Sequence, residues 1–273
     1  MDRLEQAEAD LRRVIGDIGP CLVAFSGGVD STLLLKVARD VLGYDGATAV
    51  TAVSPSLARS ELQQARSLAR LIGVRHRLVR TEEMSDPAYL RNDGLRCYFC
   101  KRELFVVLGP IAARSGGRAI VYGAILDDLG DERPGMDAAK EAGVRAPLIE
   151  AAFDKEMTRA VSKKLGLPTW NKPAMACLAS RIPRSVPVTV EALGLVERAE
   201  EAVRALGYRQ VRVRYHGRSA RVELDADGLS RAGAVAERRR LTDVVLASGF
   251  EEVEIDAAGY RPGGADRTAP PIG

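Results

Sequence analysis

The 273-residue chain has few of the residues on which small secreted or strongly charged proteins depend. It contains only four cysteines, which is too few for a scaffold built on disulfides. Its formal net charge of +3 does not indicate a protein that binds nucleic acid or an anionic membrane. It also lacks an apolar signal segment and a long apolar run that could span a membrane. We therefore expect a cytoplasmic protein with reduced thiols and no membrane partner.

Histidine is also scarce, since the chain has only His76 and His216. The motifs HExxH and GxSxG are absent, which argues against a zinc protease and an esterase. Apolar residues make up 46% of the chain, enough to form a substantial core. The chain instead shows short apolar runs typical of buried strands, which alternate with helical patterns.

Strand and helix patterns alternate along the first part of the chain. The predicted strands lie at 21–25, 47–53, 76–80 and 119–124, and the predicted helices at 32–43, 60–73, from 97 onward and at 154–166. Such repeats predict a parallel sheet with helices on both faces. We expect a doubly wound α/β domain over residues 1–183.

The pattern changes after residue 184. Residues 188–207 predict an amphipathic helix, the segments flanking the turn HGRS predict a hairpin, and residues 227–249 predict one long helix before a last strand at 250–256. This order predicts a small α+β domain over 184–260, for substrate binding or oligomerisation. Residues 261–273 predict a disordered tail.

The segment SGGVDS joins the first predicted strand to the first predicted helix. Its candidate phosphate-binding residues are Ser26, Gly27, Gly28, Asp30 and Ser31. Glycines let the backbone approach a phosphate, and the first N–H groups of the helix point at it. No lysine follows the glycines, so this is not a Walker A loop. The pattern favours binding of a departing pyrophosphate, with Asp30 positioning Mg²⁺. The alternative is a plain glycine turn that caps a helix.

Three cysteines form a second candidate site. Cys97 and Cys100 lie in RCYFCK at a predicted helix start, where thiolates are favoured, and Cys177 lies in KPAMACLASR. Three soft ligands suit a [4Fe–4S] cluster with one open iron. Zinc with a histidine, a redox CxxC pair and three unrelated thiols are the alternatives. Cys21, in the first strand, is interpreted as an apolar filler.

Two arginines alternate along the predicted strand VRVRY and therefore project from one face. Arg212 and Arg214 suit the phosphate of a substrate, because a guanidinium binds phosphate through two parallel hydrogen bonds. Ser180 and Arg181, just after the third cysteine, would complete this site. The alternative is a solvated strand face carrying Arg/Glu pairs, with Glu223 on the partner strand.

Together these segments resemble the LarE family, the PP-loop sulfur transferases of nickel-pincer cofactor biosynthesis. The resemblance covers nearly the whole chain and is carried by the motifs SGGVDS, RCYFCK, DDLGDERPG, ACLASR and VRVRYHGRSARVE. It implies the PP-loop ATP pyrophosphatase fold. It also implies that ATP adenylates a carboxylate of pyridinium biscarboxylic acid mononucleotide, and that sulfur then replaces AMP to give a thiocarboxylate.

The resemblance extends to particular residues. It implies that Ser54 and Asp127 contact ATP, and Arg133 and Gly135 also match DDLGDERPG. Residues 123–125 read Gly-Ala-Ile where the family often has a GTN-like tripeptide, so polar contacts expected there are missing. Glu200 looks like part of a solvated helix face, but the resemblance offers it, with Glu223, as an acidic metal contact.

The family also implies two sources of sulfur. The three-cysteine pattern favours an iron–sulfur cluster on Cys97, Cys100 and Cys177, and sacrificial donation by Cys177 comes second. We expect a homo-oligomer with a small nucleotide substrate and no nucleic-acid partner. A tRNA-thiolating PP-loop enzyme, an amide-forming PP-loop synthetase and a non-enzymatic nucleotide sensor are the alternative functions.

Overall fold

The structure is a computed structural model that describes residues 2–130, 134–173 and 176–261. The described chain divides into two units. The first comprises residues 2–83, 95–130 and 134–173, and the second comprises residues 84–94 and 176–261. The predicted domain boundaries at 183 and 260 stay predictions, and the predicted tail lies, except for Arg261, outside the described residues.

A four-stranded sheet forms the centre of the first unit. Its strands are β1 (Cys21–Ala24), β2 (Ala47–Val53), β3 (Arg75–Arg80) and β4 (Ala119–Tyr122), in the order β3-β2-β1-β4. All three pairings are parallel, with Val23 opposite Ala49 and Val121. The predicted parallel α/β fold is therefore confirmed.

Helices cover both faces of this sheet. In chain order they are α1 (Arg3–Ile18), α2 (Val29–Gly46), α3 (Arg59–Ile72), α5 (Arg96–Arg114), α6 (Pro134–Glu141), α7 (Pro147–Glu150) and α8 (Lys155–Lys164). The short helix α4 (Pro87–Leu90) belongs to the second unit. Val23 packs into a core with side chains of α1, α2, α3 and α8, whereas Leu22 packs on the opposite face with Phe105 and Leu108 of α5. Adjacent strand residues thus serve two cores.

The second unit holds a three-stranded sheet. Its elements are α9 (Val190–Ala205), β5 (Val211–His216), β6 (Ser219–Leu224), α10 (Ala226–Ala232), α11 (Val235–Ala247) and β7 (Glu252–Ile255). Strands β5 and β6 pair antiparallel, which confirms the predicted hairpin, and β7 pairs parallel with β6. The prediction of one helix over 227–249 is wrong, because the extended backbone of Ala234 separates α10 from α11.

Residues 84–94 belong to this second unit through Asn92. The buried Asn92 side-chain amide donates to the carbonyls of Pro183 (2.7 Å), Val186 (3.0 Å) and Ile182 (3.3 Å). The backbone N–H of Ser185 donates in return to the Asn92 carbonyl at 3.0 Å. One polar side chain therefore fixes a segment that lies 90 residues away in sequence.

Within the described ranges, no helix combines the length and the apolar character needed to cross a membrane.

Candidate functional site

The loop between β1 and α2 has the geometry of an anion-binding helix start. Gly28 precedes α2 and, because it has no side chain, makes no side-chain cap to the first N–H groups of this helix. The hydroxyls of Ser26 and Ser31 lie 3.1 Å apart, and the N–H of Gly28 points at Ser26 Oγ from 3.4 Å. Uncapped N–H groups and two hydroxyls thus line one short turn, as phosphate binding at a helix N-terminus requires.

Two glycines allow this loop to pack closely. Gly27 has a φ of +74°, and a Cβ on it would lie 3.3 Å from the Cα of Ala65 in α3. Gly123, just after β4, approaches the first turn of α2 so closely that a Cβ would lie 2.8 Å from the backbone nitrogen of Ser31. Gly123 is therefore a packing residue beneath the loop.

A lysine from α8 neutralises the acidic residue of the loop. Lys155 Nζ lies 2.8 Å from both carboxylate oxygens of Asp30, and the Lys155 backbone N–H donates to Asp127 Oδ2 at 2.8 Å. Asp30 and Asp127, both predicted to act on ATP, are thus brought to one lysine. No local pattern in the sequence indicates Lys155, which lies 125 residues from Asp30 along the chain.

A second lysine reaches the loop from the segment after α8. Lys172 Nζ donates to the Gly27 carbonyl (3.2 Å), to Glu61 (2.7 Å) and to Gln64 (2.5 Å) of α3. The sequence contains no local signal for this contact, because the lysine and the loop are 145 residues apart. The loop thus lacks a lysine of its own but has two beside it.

Ser54, the predicted adenine contact, lies just after β2. Its hydroxyl donates to Glu83 Oε1 and accepts from the Ser56 N–H at 3.3 Å. Glu83 is 3% exposed, and its Oε2 has no hydrogen-bond partner among the described residues. Removing the Ser54 hydroxyl would leave a buried carboxylate with less support.

His76 supports the strand that leads into the loop. The Thr51 hydroxyl donates to the Phe25 carbonyl at 2.6 Å, so its contact with His76 Nε2 at 2.8 Å must be one in which the histidine donates. Burial, together with the nearby Arg66 guanidinium, lowers the pKa of His76. A neutral histidine with its proton on Nε2 fits this structural role.

The cysteines differ in exposure. Cys97 and Cys100 lie three residues apart in the first turn of α5, on one face of the helix, and are exposed and half-buried. Cys177, in the second unit, is exposed and precedes a short 3-10 turn, Leu178–Arg181. Burial raises the pKa of Cys21 to about 11. In the described ranges, no three or more His, Cys, Asp or Glu side chains are assembled for a metal ion.

The strand arginines of the second unit are buried. Arg212 and Arg214 are 3% and 4% exposed, so the alternative of a solvated strand face is wrong. Arg214 Nη2 donates to Glu223 at 2.8 Å and its Nη1 donates to the Ser180 carbonyl at 3.0 Å. The Arg214 Nε is buried without a hydrogen-bond partner among the described residues.

Arg181 and Glu200 form a second buried pair. Arg181 Nε and Nη2 donate to the two carboxylate oxygens of Glu200 at 2.8 and 3.1 Å. Arg204 adds a contact at 2.5 Å. The interpretation of Glu200 as part of a solvated helix face is wrong, because this carboxylate faces β5 and is 1% exposed. Burial alone would raise the pKa of Glu200, but the surrounding guanidiniums hold that pKa below its ordinary value.

Comparison with known proteins gives three relatives of nearly full length, although no protein-family model matches. The chain is 46% identical over 264 residues to an uncharacterized protein of Synechocystis sp., covering 97% of this chain and 98% of the relative. It is 38% identical over 264 residues to pyridinium-3,5-bisthiocarboxylic acid mononucleotide synthase of Lactiplantibacillus plantarum, covering 96% and 95%. It is 25% identical over 240 residues to an uncharacterized protein of Methanocaldococcus jannaschii, covering 88% and 90%. The parallel sheet, with residues 26–31 between β1 and α2 as its phosphate loop, is of the PP-loop ATP pyrophosphatase type, and the chain belongs to the LarE family, that of the L. plantarum synthase.

Proposed function

We propose that this chain is an ATP-dependent sulfur transferase that converts a carboxylate of pyridinium biscarboxylic acid mononucleotide into a thiocarboxylate. The observation that carries the proposal is the 38% identity over 96% of the chain to a synthase of the bisthiocarboxylic acid mononucleotide. ATP adenylates the carboxylate, pyrophosphate leaves, and a sulfur nucleophile then displaces AMP. The product would serve the synthesis of a nickel-pincer cofactor.

The phosphate loop supports the adenylation step. Its uncapped helix start and the hydroxyls of Ser26 and Ser31 suit the pyrophosphate of ATP. Lys155 and Lys172 supply the positive charge that a Walker lysine supplies elsewhere. The Asp30 carboxylate has the oxygen ligands that Mg²⁺ prefers, and Lys155 holds that carboxylate at the loop. Ser54 and Asp127 are proposed as further ATP contacts.

The second unit supports recognition of the substrate. Arg214 has a buried Nε without a partner among the described residues, and Arg212 lies two residues away on the same strand face. We assign the substrate's phosphate to these two arginines and to Ser180. Burial, together with the charge of Arg181, lowers the pKa of Arg212, so an anion bound beside this guanidinium would favour its charged form.

Sulfur has two proposed sources, both of which use Cys177. In the sacrificial route, the Cys177 thiolate attacks the acyl-adenylate carbon and the bond from that carbon to AMP breaks. The cysteine Cα then loses a proton, its Cβ–S bond breaks, and dehydroalanine and the thiocarboxylate remain. In the cluster route, Cys97, Cys100 and Cys177 would hold a [4Fe–4S] cluster, which would supply the sulfur that is transferred. Cys97 and Cys100, on one helix turn, fit two of its ligands.

Anaerobically purified protein provides the test. We expect AMP and pyrophosphate to form only when ATP, Mg²⁺ and the pyridinium substrate are all present, with one thiocarboxylate for each AMP. Iron and sulfide in the purified protein would support the cluster route, and a loss of about 34 Da at Cys177 after turnover would support sacrifice. Light scattering would test the expected homo-oligomer.

Cys177→Ser is the matched control. It should retain exchange of labelled pyrophosphate into ATP in the presence of the substrate but form no thiocarboxylate. Pyrophosphate release that depends on bulk tRNA instead of the pyridinium substrate would contradict the proposal and would favour a tRNA-thiolating enzyme.

A further inference from the structure

The backbone around Cys177 is fixed by one guanidinium. Arg181 Nη1 donates to the carbonyls of Ala176 (2.7 Å) and Cys177 (3.0 Å) and to Ser180 Oγ (3.0 Å). The Ser180 N–H closes the turn on the Cys177 carbonyl at 2.9 Å. The carbonyl of the reactive residue therefore accepts two hydrogen bonds, although its side chain is exposed.

The opposite edge of the same guanidinium is held by Glu200. Its carboxylate binds Arg181 Nε and Nη2 and also accepts the backbone N–H of Val213 in β5 at 3.2 Å. Glu200 lies on α9, a helix of the second unit whose apolar side chains are buried. Helix α9 and strand β5 thus support Glu200, Glu200 supports Arg181, and Arg181 supports the Cys177 backbone.

The number of these contacts decides between two roles for Arg181. They use at least four of the five N–H donors of a guanidinium, and the residue is 1% exposed. At most one N–H group of Arg181 is therefore left to donate to a phosphate. Arg214, by contrast, keeps a buried Nε without a partner among the described residues. The two arginines therefore have different tasks, although the sequence suggests the same one for both.

We propose that Arg181, clamped by Glu200, is a positioning residue that fixes the backbone of Cys177 for sulfur transfer and does not bind the substrate's phosphate. This inference rests on the proposed function, since it assumes that Cys177 takes part in the transfer. It assigns Glu200 to the same device in place of a metal contact. The side chain of Cys177 can then react while its backbone stays in one conformation.

Arg181→Lys tests the inference with two separate activities. Lysine keeps the charge but cannot hold Glu200 and two carbonyls at once. We expect pyrophosphate exchange and the KM for the pyridinium substrate to stay within about twofold of the wild type. Thiocarboxylate formation should fall by at least about tenfold. Glu200→Gln should also reduce thiocarboxylate formation, because it weakens the contact between Glu200 and Arg181 without altering residues 176–182.

Arg204→Gln is the matched control. It removes a charge beside the same carboxylate, and in the described part of the chain Arg204 makes no hydrogen bond to residues 176–182. We expect this variant to retain both activities. Hydrogen exchange of the backbone amides of residues 178–182 gives an independent readout. It should be faster in Arg181→Lys and Glu200→Gln than in the wild type and unchanged in Arg204→Gln.

Two results would overturn the inference. A raised KM for the pyridinium substrate, with both activities lost together in Arg181→Lys, would make Arg181 a phosphate ligand. Wild-type rates of transfer and of amide exchange in that variant would show that the clamp does not matter. If the wild type itself neither adenylates nor transfers sulfur, the proposed function fails, and the amide exchange still decides whether Arg181 fixes the loop.

Discussion

The side chains of Lys155 and Asp30, at the phosphate loop, are 35% and 24% exposed, whereas those of Arg181 and Glu200, in the second unit, are 2% and 1% exposed. A partly exposed ion pair contributes little net stability and can release its partners to a ligand. A buried pair is costly to break, because the remaining charge is left without compensation. The first unit thus holds charges that a ligand could recruit, and the second unit holds charges that fix the structure.

Glu200→Ala should have the largest effect on stability. It leaves Arg181 buried without its carboxylate and removes the acceptor of the Val213 N–H. We expect the second unit to lose about 3–5 kcal/mol of unfolding free energy. Urea denaturation followed by far-UV circular dichroism measures it. A loss below about 1 kcal/mol would place this pair in the same class as Lys155 and Asp30.

Gly123→Ala should come next. The new Cβ would lie 2.8 Å from Ser31 N and 3.0 Å from the Asp30 carbonyl carbon, both of them backbone atoms that cannot move alone. We expect a loss of about 1–3 kcal/mol and a raised KM for ATP. Gly109→Ala in α5 is the control, because a Cβ there meets nothing within 4 Å. Equal stability of the two variants would contradict the tight packing beneath the loop.

Acidification should weaken the second unit through Glu200. Its pKa is lowered in the folded state, so its contribution is fully present above the ordinary value of 4.5 and is lost as the pH falls below that value. Glu200→Gln should therefore lose less stability than the wild type between pH 5 and a pH of about 3. Urea midpoints at several pH values measure the difference. Parallel curves for the two proteins would contradict the shift.

Lys155→Ala should have the smallest effect on stability. The ion pair with Asp30 is partly exposed, so we expect a change below about 1 kcal/mol, which corresponds to a few degrees in Tm or less. Pyrophosphate exchange should nevertheless fall by at least about tenfold, because a cation at the phosphate loop is lost. A large loss of stability with normal exchange would reverse the contrast between the two units.

The parts of the site that the sequence predicts are those built from neighbouring residues. The strand–loop–helix around Ser26 and the alternation of Arg212 with Arg214 depend on local geometry, and both are present. Contacts between distant segments leave no periodic trace in the sequence. Lys155 at Asp30 is one example, and Lys172 at Gly27 is another.

Burial is the second property that the sequence does not reveal. Glu200 has the surroundings of a solvated helix residue in the run RAEEAVR, yet it is buried because Arg181 and Arg204 converge on it. The break between α10 and α11 also leaves little trace in the sequence. Gly233 and Ala234 lie at the break, and neither residue excludes a helix as strongly as a proline does.

The amide of Asn92 also affects how the protein can be divided. Since residues 84–94 lie within the second unit while the residues on both sides belong to the first, neither unit is one continuous stretch of chain. A fragment that starts at residue 176 would lack the donor for the carbonyls of Ile182, Pro183 and Val186. Expression of the C-terminal region by itself should thus give an insoluble or partly folded product, and dissection of the two activities has to rely on point substitutions in the intact polypeptide.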